Sequence, residues 1–402
     1  MIATTPNRTT YDAVIVGARC AGAATAMLLA RRGLKVLAVE RSRYGSDTMS
    51  THALMRGGVL QLHRWGVLDA VRAAGTPAVR RTSFIYGDEV VAVDIVSRDG
   101  VDALYSPRRT VLDRVLADAA SEAGAELAFG VRVDDLLRSD DGRVHGVVLS
   151  GEDGRPVQIR SRIVIGADGV RSTVARSVGA EPTHQGRYAS GVIYGYFNGL
   201  DVDGNRWYFA PGSGVGEIPT NDGDTCVFVG TRSDRFRAEM RSDIETAFHA
   251  ELTRCAPELA DAVLRAPMSG RFMAFAGVTG YLRRAWGPGW ALVGDAGYFK
   301  DPITAHGITD ALRDAELLAE AVAAGSDDAL HGYERRRDEM SLPLFELTDR
   351  IAAYDWTLPE VQTMHRELSR EMNREVDAML SWSTPATGPE IHHAATTLPR
   401  SA

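Results

Sequence analysis

At 402 residues, 45% of them hydrophobic, the chain can hold two to three domains around a substantial core. A net charge of -8 argues against nucleic acid as a partner, because phosphate binding needs a basic surface. The longest apolar stretches, roughly ten residues, fall short of a bilayer span, and no integral membrane segment is expected.

The N-terminal MIATTPNRTT has no apolar core of a signal peptide. Cys20, Cys226 and Cys255 are scattered and odd in number. They suggest neither a disulfide framework nor a metal site, and a reducing cytoplasm is the expected compartment.

The chain is organised around Asp12 to Arg41. An apolar strand, Ala13 to Val16, runs into a tight turn at Gly17, and Ala23 to Arg32 has helical spacing that stops at Gly33. The next strand, Lys35 to Val39, closes on Glu40, roughly 20 residues past the turn, where a carboxylate can accept both hydroxyls of an adenosine ribose. The intervening helix N-terminus, with unpaired N–H groups and partial positive charge, suits a pyrophosphate. In a G-x-G-x-x-G pattern glycine would stand at 17, 19 and 22; the middle position is Arg19, which must point away from the ligand or meet a phosphate from the rim. Cys20, in the same turn, reads as a small packing residue.

A loop rich in Ser and Thr follows, containing His52, and then one helix is expected over Met55 to Gly75. Arg80 to Val96 reads as a hairpin turning at Gly87-Asp88, Arg109 to Ala123 as an amphipathic helix, and Glu126 to Leu149 as strands around Asp140-Asp141-Gly142. Ile163 to Ile165 is a buried strand leading into the turn Asp168-Gly169 and a helix. From Thr183 to Arg232 the period changes to two, with aromatic strands that predict an antiparallel sheet. Val192, Tyr194 and Tyr196 share one face, as do Trp207 and Phe209. Arg235 to Leu264 is largely helical. In Gly289 to Ala321 a short strand ends at Gly294-Asp295, a loop carries Lys300, Pro302 and His306, and a long helix begins near Gly307. One or two further helices and a polar tail from about Ser383 complete the chain.

Three stretches, Gly17 to Glu40, Ser161 to Val178 and Gly289 to Ala321, resemble the three fingerprints of the flavin monooxygenases built like para-hydroxybenzoate hydroxylase, and the resemblance spans nearly the whole chain. It implies an α/β protein: a Rossmann-like FAD-binding domain of the glutathione reductase type (1–78, 104–182, 270–350), an inserted antiparallel β-sheet domain for substrate (79–103, 183–269) and a C-terminal helical segment with tail (351–402). Gly17, Ala18, Ala21 and Gly22 would hold the FAD diphosphate and Glu40 the adenosine ribose. Asp168 belongs to the fingerprint shared by FAD and NAD(P)H, and Gly294 and Asp295 bind the flavin ribose. Arg56 and Arg109 look like residues flanking the phosphates, and Arg41 and Val133 complete the nucleotide contacts. Pro302, Ala305, Gly307 and Ile308 would run along the pyrimidine edge of the flavin, where N–H groups at a helix start stabilise the reduced anion. The family's loop usually reads Pro-Pro-Thr-Gly before its second glycine; here it is Asp301-Pro302-Ile303-Thr304-Ala305-His306-Gly307, with Asp301 and Asp310 as extra carboxylates near the flavin or its entrance.

By that resemblance the chain is expected to be a monooxygenase of secondary metabolism. NAD(P)H reduces FAD, O2 is activated at flavin C4a, and an oxygen atom passes to an aromatic or polyketide-like small molecule. His52, His306 and Pro302 are the candidate catalytic residues, and Tyr194, Tyr196, Trp207 and Phe209 the candidate substrate face. A lone loop lysine such as Lys300 is expected to be solvated. No metal is called for. The alternatives are a geranylgeranyl-reductase-like enzyme acting on isoprenoid double bonds and a flavin-binding protein without turnover; a halogenase would want a Trp-x-Trp-x-Ile-Pro segment, of which Arg206 to Pro211 is only a loose echo. A separate flavin reductase is a possible partner.

Overall fold

The computed structural model describes residues 2–3, 6–150 and 156–382, so the tail expected from Ser383 lies outside the described residues. In chain order the helices are α1 (Cys20–Arg31), α2 (Arg56–Arg64), α3 (Leu68–Ala73), α4 (Arg109–Glu122), α5 (Thr173–Ser177), α6 (Ser233–Arg235), α7 (Ile244–Cys255), α8 (Pro257–Arg265), α9 (Gly307–Ala324), α10 (Asp327–Ile351) and α11 (Leu358–Leu380).

The central sheet grows outward from the first βαβ unit. Thr10–Val16 pairs in parallel with Val36–Glu40, and that strand with Glu126–Phe129. On its other side Thr10–Val16 pairs in parallel with Pro156–Gly166, which then takes Trp290–Leu292. Strands without polar alternation must be covered on both faces. One face receives α1, α2, α4 and α9, through residues such as Met27, Leu60, Leu116 and Leu312. The other receives an antiparallel meander, where Leu136, Val147 and Leu149 pack on Val14, Val16 and Leu37.

A second sheet runs in the order Met268–Phe275, Ser190–Asn198, Asp224–Arg232, Ser213–Pro219, Asn205–Ala210, Arg81–Tyr86, Glu89–Asp94. Its strands alternate faces as their period of two requires. Ile193, Phe197, Tyr208 and Val227 meet Phe248 and Leu252 of α7, while Tyr194, Tyr196, Trp207 and Phe209 meet Leu344 and Leu347 of α10 and Val361, Met364 and Leu368 of α11.

Three details differ from the sequence reading. The sheet is mixed, because Asn205–Ala210 pairs in parallel with Arg81–Tyr86, a strand contributed from far upstream. It also extends beyond residue 269, since Met268–Phe275 pairs with Ser190–Asn198. The helix expected over Met55 to Gly75 is broken at Gly66. That residue has φ +70, and the N–H groups of Val67 and Gly66 donate to Leu62 O (2.8 Å) and His63 O (3.0 Å), the bond pattern of a glycine-terminated helix.

Candidate FAD site

The glycines of the first turn answer to packing. Gly17 sits at φ +99, and a Cβ there would lie 2.4 Å from Ala167 O; one on Gly22 would lie 1.8 Å from Gly17 O. The turn is thereby pressed against the end of the neighbouring strand, with α1 starting directly above it. No side chain caps α1 and its first turn holds no acid, so its leading N–H groups face outward uncompensated. Glu40 accepts from Ala18 N (3.1 Å) and Ser42 N (2.9 Å), which fixes the carboxylate at the carboxyl edge of the sheet beside that turn.

Arg19 turns away from the turn's open side. Its guanidinium is held by Asp113 (2.9 Å) and Ser46 O (3.1 Å), so it is not a free phosphate ligand at the rim. Asp113 also accepts from Arg109 (3.0 Å) and from Cys20 Sγ (3.1 Å). This buried aspartate, which the sequence reading passed over, anchors both arginines and ties Cys20 into the same network. Arg56 is not joined to this group: it donates to Val96 O (2.7 Å) and Val101 O (3.3 Å). The loop's carbonyls occupy the guanidinium expected at a phosphate. Val133 begins the meander strand and is half-buried, and Arg41 is exposed.

Asp168 caps the following helix. It accepts from Ser172 Oγ (2.5 Å) and Thr173 N (2.6 Å). The Tyr281 hydroxyl, donating to Val170 O (3.2 Å) and Asp295 O (2.6 Å), ties this turn to the one at Gly294-Asp295.

Asp295 differs from the other buried acids. Protein crowds it, yet solvent still reaches it, and among the described residues nothing donates a hydrogen bond to its carboxylate. Burial pushes its pKa up to about 6, against the pull of Arg109. A partly exposed carboxylate left without a donor is what a ligand hydroxyl would satisfy. Gly294, at φ +60, permits the approach of Ala21, whose Cβ would lie 2.8 Å from a Cβ at that position.

The loop after Lys300 forms a short 3-10 turn, Pro302–Thr304, and then Ala305 enters the left-handed region at φ +50 before α9 begins. His306 is the N-cap residue, and no side chain caps the helix. A Cβ on exposed Gly307 would meet nothing within 4 Å, so the first turn of α9 with half-buried Ile308 borders open space. The extra carboxylates are not at an entrance. Asp301 is buried and accepts from Ser190 N and Ser190 Oγ, both at 2.6 Å, fastening the loop to the second sheet. Asp310 lies in a buried ionic cluster with Lys300, His306, Arg313 and Glu375. Lys300 is therefore not solvated; its side chain is 2% exposed and bonded to Asp310. His306, Asp310 and Glu375 offer ligand atoms within 4.8 Å of one another, but Lys300 and Arg313 already take the positions a cation would fill.

His52 and Tyr196, assigned separately from sequence, are brought together. His52 is 1% exposed at φ +66, its Nε2 hydrogen-bonded to the Tyr196 hydroxyl and its Nδ1 without a partner among the described residues. Burial, with Arg108 and Arg109 nearby, pushes its pKa well below the ordinary value, so the imidazole is neutral. The Arg108 guanidinium lies 3.6 Å over the Tyr196 ring. Ile303 and Ala305 pack on the cluster that contains Tyr194, Tyr196, Trp207 and Phe209, making the loop and the aromatic face one continuous wall.

A parallel sheet with uncapped helix N-termini at its carboxyl edge, a glutamate fixed beside the first turn and an aspartate without a donor among the described residues has the layout of a dinucleotide-binding protein. The FAD binding domain model matches residues 10–345. The chain belongs to that family and is an FAD-dependent oxidoreductase. It is 31% identical over 342 residues to digeranylgeranylglycerophospholipid reductase 2 of Methanothermobacter thermautotrophicus, covering 81% of this chain and 83% of the relative. Among solved structures, the flavin-dependent brominase Bmp2 aligns with TM-score 0.77 at 20% identity, over 94% of this chain and 96% of its own. Pseudomonas aeruginosa PqsL in complex with 2-aminobenzoylacetate aligns with TM-score 0.75 at 24% identity, over 90% and 100%. No helix among the described residues is long and apolar enough to cross a membrane.

Proposed function

We propose that the protein is an NAD(P)H-dependent FAD monooxygenase that inserts one atom of O2 into an aromatic or polyketide-like small molecule. The observation that carries this reading is the continuous wall formed by the loop 301–308 and the aromatic face Tyr194, Tyr196, Trp207 and Phe209. These rings are buried beneath α10 and α11, and a flat electron-rich substrate would be admitted beside them, along the edge where Ile303 and Ala305 join the cluster, against the residues expected to border the flavin. The PqsL structure, with an aminobenzoyl compound bound, supports an aromatic ligand on this fold.

Bound FAD would supply the redox chemistry, accepting hydride from the nicotinamide and activating oxygen. The protein's own part is positional. Glu40, Arg109 and Asp295 would hold the nucleotide and ribitol, and the α9 N–H groups would favour negative charge on the pyrimidine edge. The apolar wall would exclude water. His52, neutral and bonded to Tyr196, would hold that phenol in place beside the substrate. In this reading the enzyme is cytoplasmic and works with or without a separate flavin reductase.

A second reading, reduction of isoprenoid double bonds, is supported by the 31% identical archaeal reductase. Purified protein reconstituted with FAD separates the two. Oxygen-dependent NAD(P)H oxidation with incorporation of labelled oxygen into a phenolic or polycyclic compound is expected. Anaerobic turnover in which an isoprenoid gains two hydrogens would establish the reductase instead, and bound flavin with no NAD(P)H oxidation would point to a binding protein.

A further inference from the structure

Six charged or titratable side chains, each 5% exposed or less, meet behind the first turn of α9: Lys300, His306, Asp310, Arg313, Asp314 and Glu375. Lys300 reaches Asp310 and, at 3.1 Å, His306 Nδ1. Arg313 contacts Asp310 (3.2 Å), Glu375 (2.7 Å) and Asp314 (2.6 Å). His306 Nδ1 is 3.1 Å from Asp310, and its Nε2 is 2.8 Å from Glu375 Oε2, a close approach without the alignment of a full hydrogen bond. Tyr298, whose ring lies 5.1 Å from Lys300 Nζ, closes the cluster from the sheet side.

The charges do not balance without a proton. Lys300 and Arg313 are two cations against three carboxylates, Asp310, Asp314 and Glu375; buried Arg337 also acts on Asp314 but is paired with Asp338 (2.6 Å), so the count stays one positive charge short. A net charge held out of water is costly, so the missing positive charge is retained inside the cluster. His306 is the member whose two ring nitrogens each face a different carboxylate. Burial and Lys300 oppose its protonation, but Glu375 and Asp310 outweigh them, and its pKa stands above the ordinary histidine value.

We propose that His306 is held as an imidazolium between Asp310 of α9 and Glu375 of α11, and that it is a positioning residue for the flavin. The proposal rests on the reading of loop 301–308 as the flavin's pyrimidine edge. Two-electron reduction of the isoalloxazine by hydride places the hydride at N5 and leaves one negative charge over N1 and C2=O. The imidazolium behind the N–H groups of Gly307 and Ile308 stabilises that charge and fixes the helix start that presents them. Its loss on raising pH removes the stabilisation.

The test begins with ring-labelled histidine in the 402-residue protein, followed by NMR against pH, His306 being assigned by the signal missing in H306Q. Both ring nitrogens protonated at pH 7.5 is the expected result; a neutral ring there, or a titration unmoved by E375Q, overturns the clamp. The midpoint potential of bound FAD is then measured from pH 6 to 9. H306Q and E375Q should each weaken the preference for reduced over oxidised flavin roughly tenfold to hundredfold, ~30–60 mV for a two-electron couple, and flatten the pH dependence. Potentials that match wild type across the range overturn the flavin role, because a merely structural histidine would alter stability and leave the potential in place. A chain that binds no flavin overturns the FAD reading, while the ring titration still decides whether the clamp exists.

Discussion

Asp295→Asn separates ligand binding from folding in opposite directions. The carboxylate has no donor among the described residues, and burial raises its pKa from 3.8 to about 6. At about 1.4 kcal/mol per tenfold, that rise corresponds to about 3 kcal/mol of unfavourable ionisation at neutral pH. Solvent that still reaches the group reduces the figure to about 1–2 kcal/mol. Because the folded pKa is raised, the folded state holds the proton longer than the unfolded chain, and stability contributed by the neutral form is lost as pH rises from about 4 through 6. The FAD-free variant should therefore be more stable than wild type by about 1–2 kcal/mol at pH 7.5, with the gain shrinking toward pH 4. Its affinity for FAD should fall roughly tenfold, the difference between a charged and a neutral hydrogen bond to a ribitol hydroxyl. Urea unfolding of FAD-stripped protein at several pH values, with FAD titration by fluorescence quenching, measures both quantities. A variant that is less stable than wild type, or that binds FAD equally well, refutes the argument.

Lys300→Met should cost about 3 kcal/mol, the low end for breaking a buried ion pair because Arg313 and His306 still face Asp310; a loss under about 1 kcal/mol in urea would mean the pair behaves like a surface contact. Gly22→Ala would force a Cβ to within 1.8 Å of Gly17 O, so it should lose at least about 2 kcal/mol and most of its FAD affinity, and unchanged flavin content on purification would contradict the packing of that turn. Trp207→Leu should raise substrate KM roughly 5- to 30-fold, as expected for about 1–2 kcal/mol of lost ring contact, while reduction of FAD by NAD(P)H without substrate keeps its rate; equal KM values would remove Trp207 from the substrate face.

The first βαβ unit was legible because each part is local: Gly17, the start of α1 and Glu40 are set by adjacent sequence and need no distant partner. The same holds for Asp295 and for the start of α9. Misreadings arose where a side chain's partner lies far along the chain. Lys300 reads as a solvated loop lysine until Asp310 and His306 fold over it, and Glu375, more than sixty residues beyond the loop by its number, carries no local signal at all. For Arg19 the sequence left two readings open, pointing away from the ligand or meeting a phosphate from the rim, and the choice between them rests on Asp113, an acceptor in another helix. Arg56 likewise finds its acceptors far along the chain, the carbonyls of Val96 and Val101. The parallel pairing of Asn205–Ala210 could not be read from alternation, since alternation marks a strand's faces and not its neighbour.

Helix α11 presses Val361, Met364 and Leu368 onto the aromatic face and, further along, extends Glu375 to the base of α9. In chain order this helix follows every strand of the sheet it covers, so during synthesis it emerges after them. Until it emerges, a sheet face rich in Tyr, Trp and Phe and the cations Lys300 and Arg313 both await their covers. The nascent protein thus carries this aromatic face bare until α10 and α11 have formed, and its yield in a cell will depend on chaperone supply and on the integrity of those two helices.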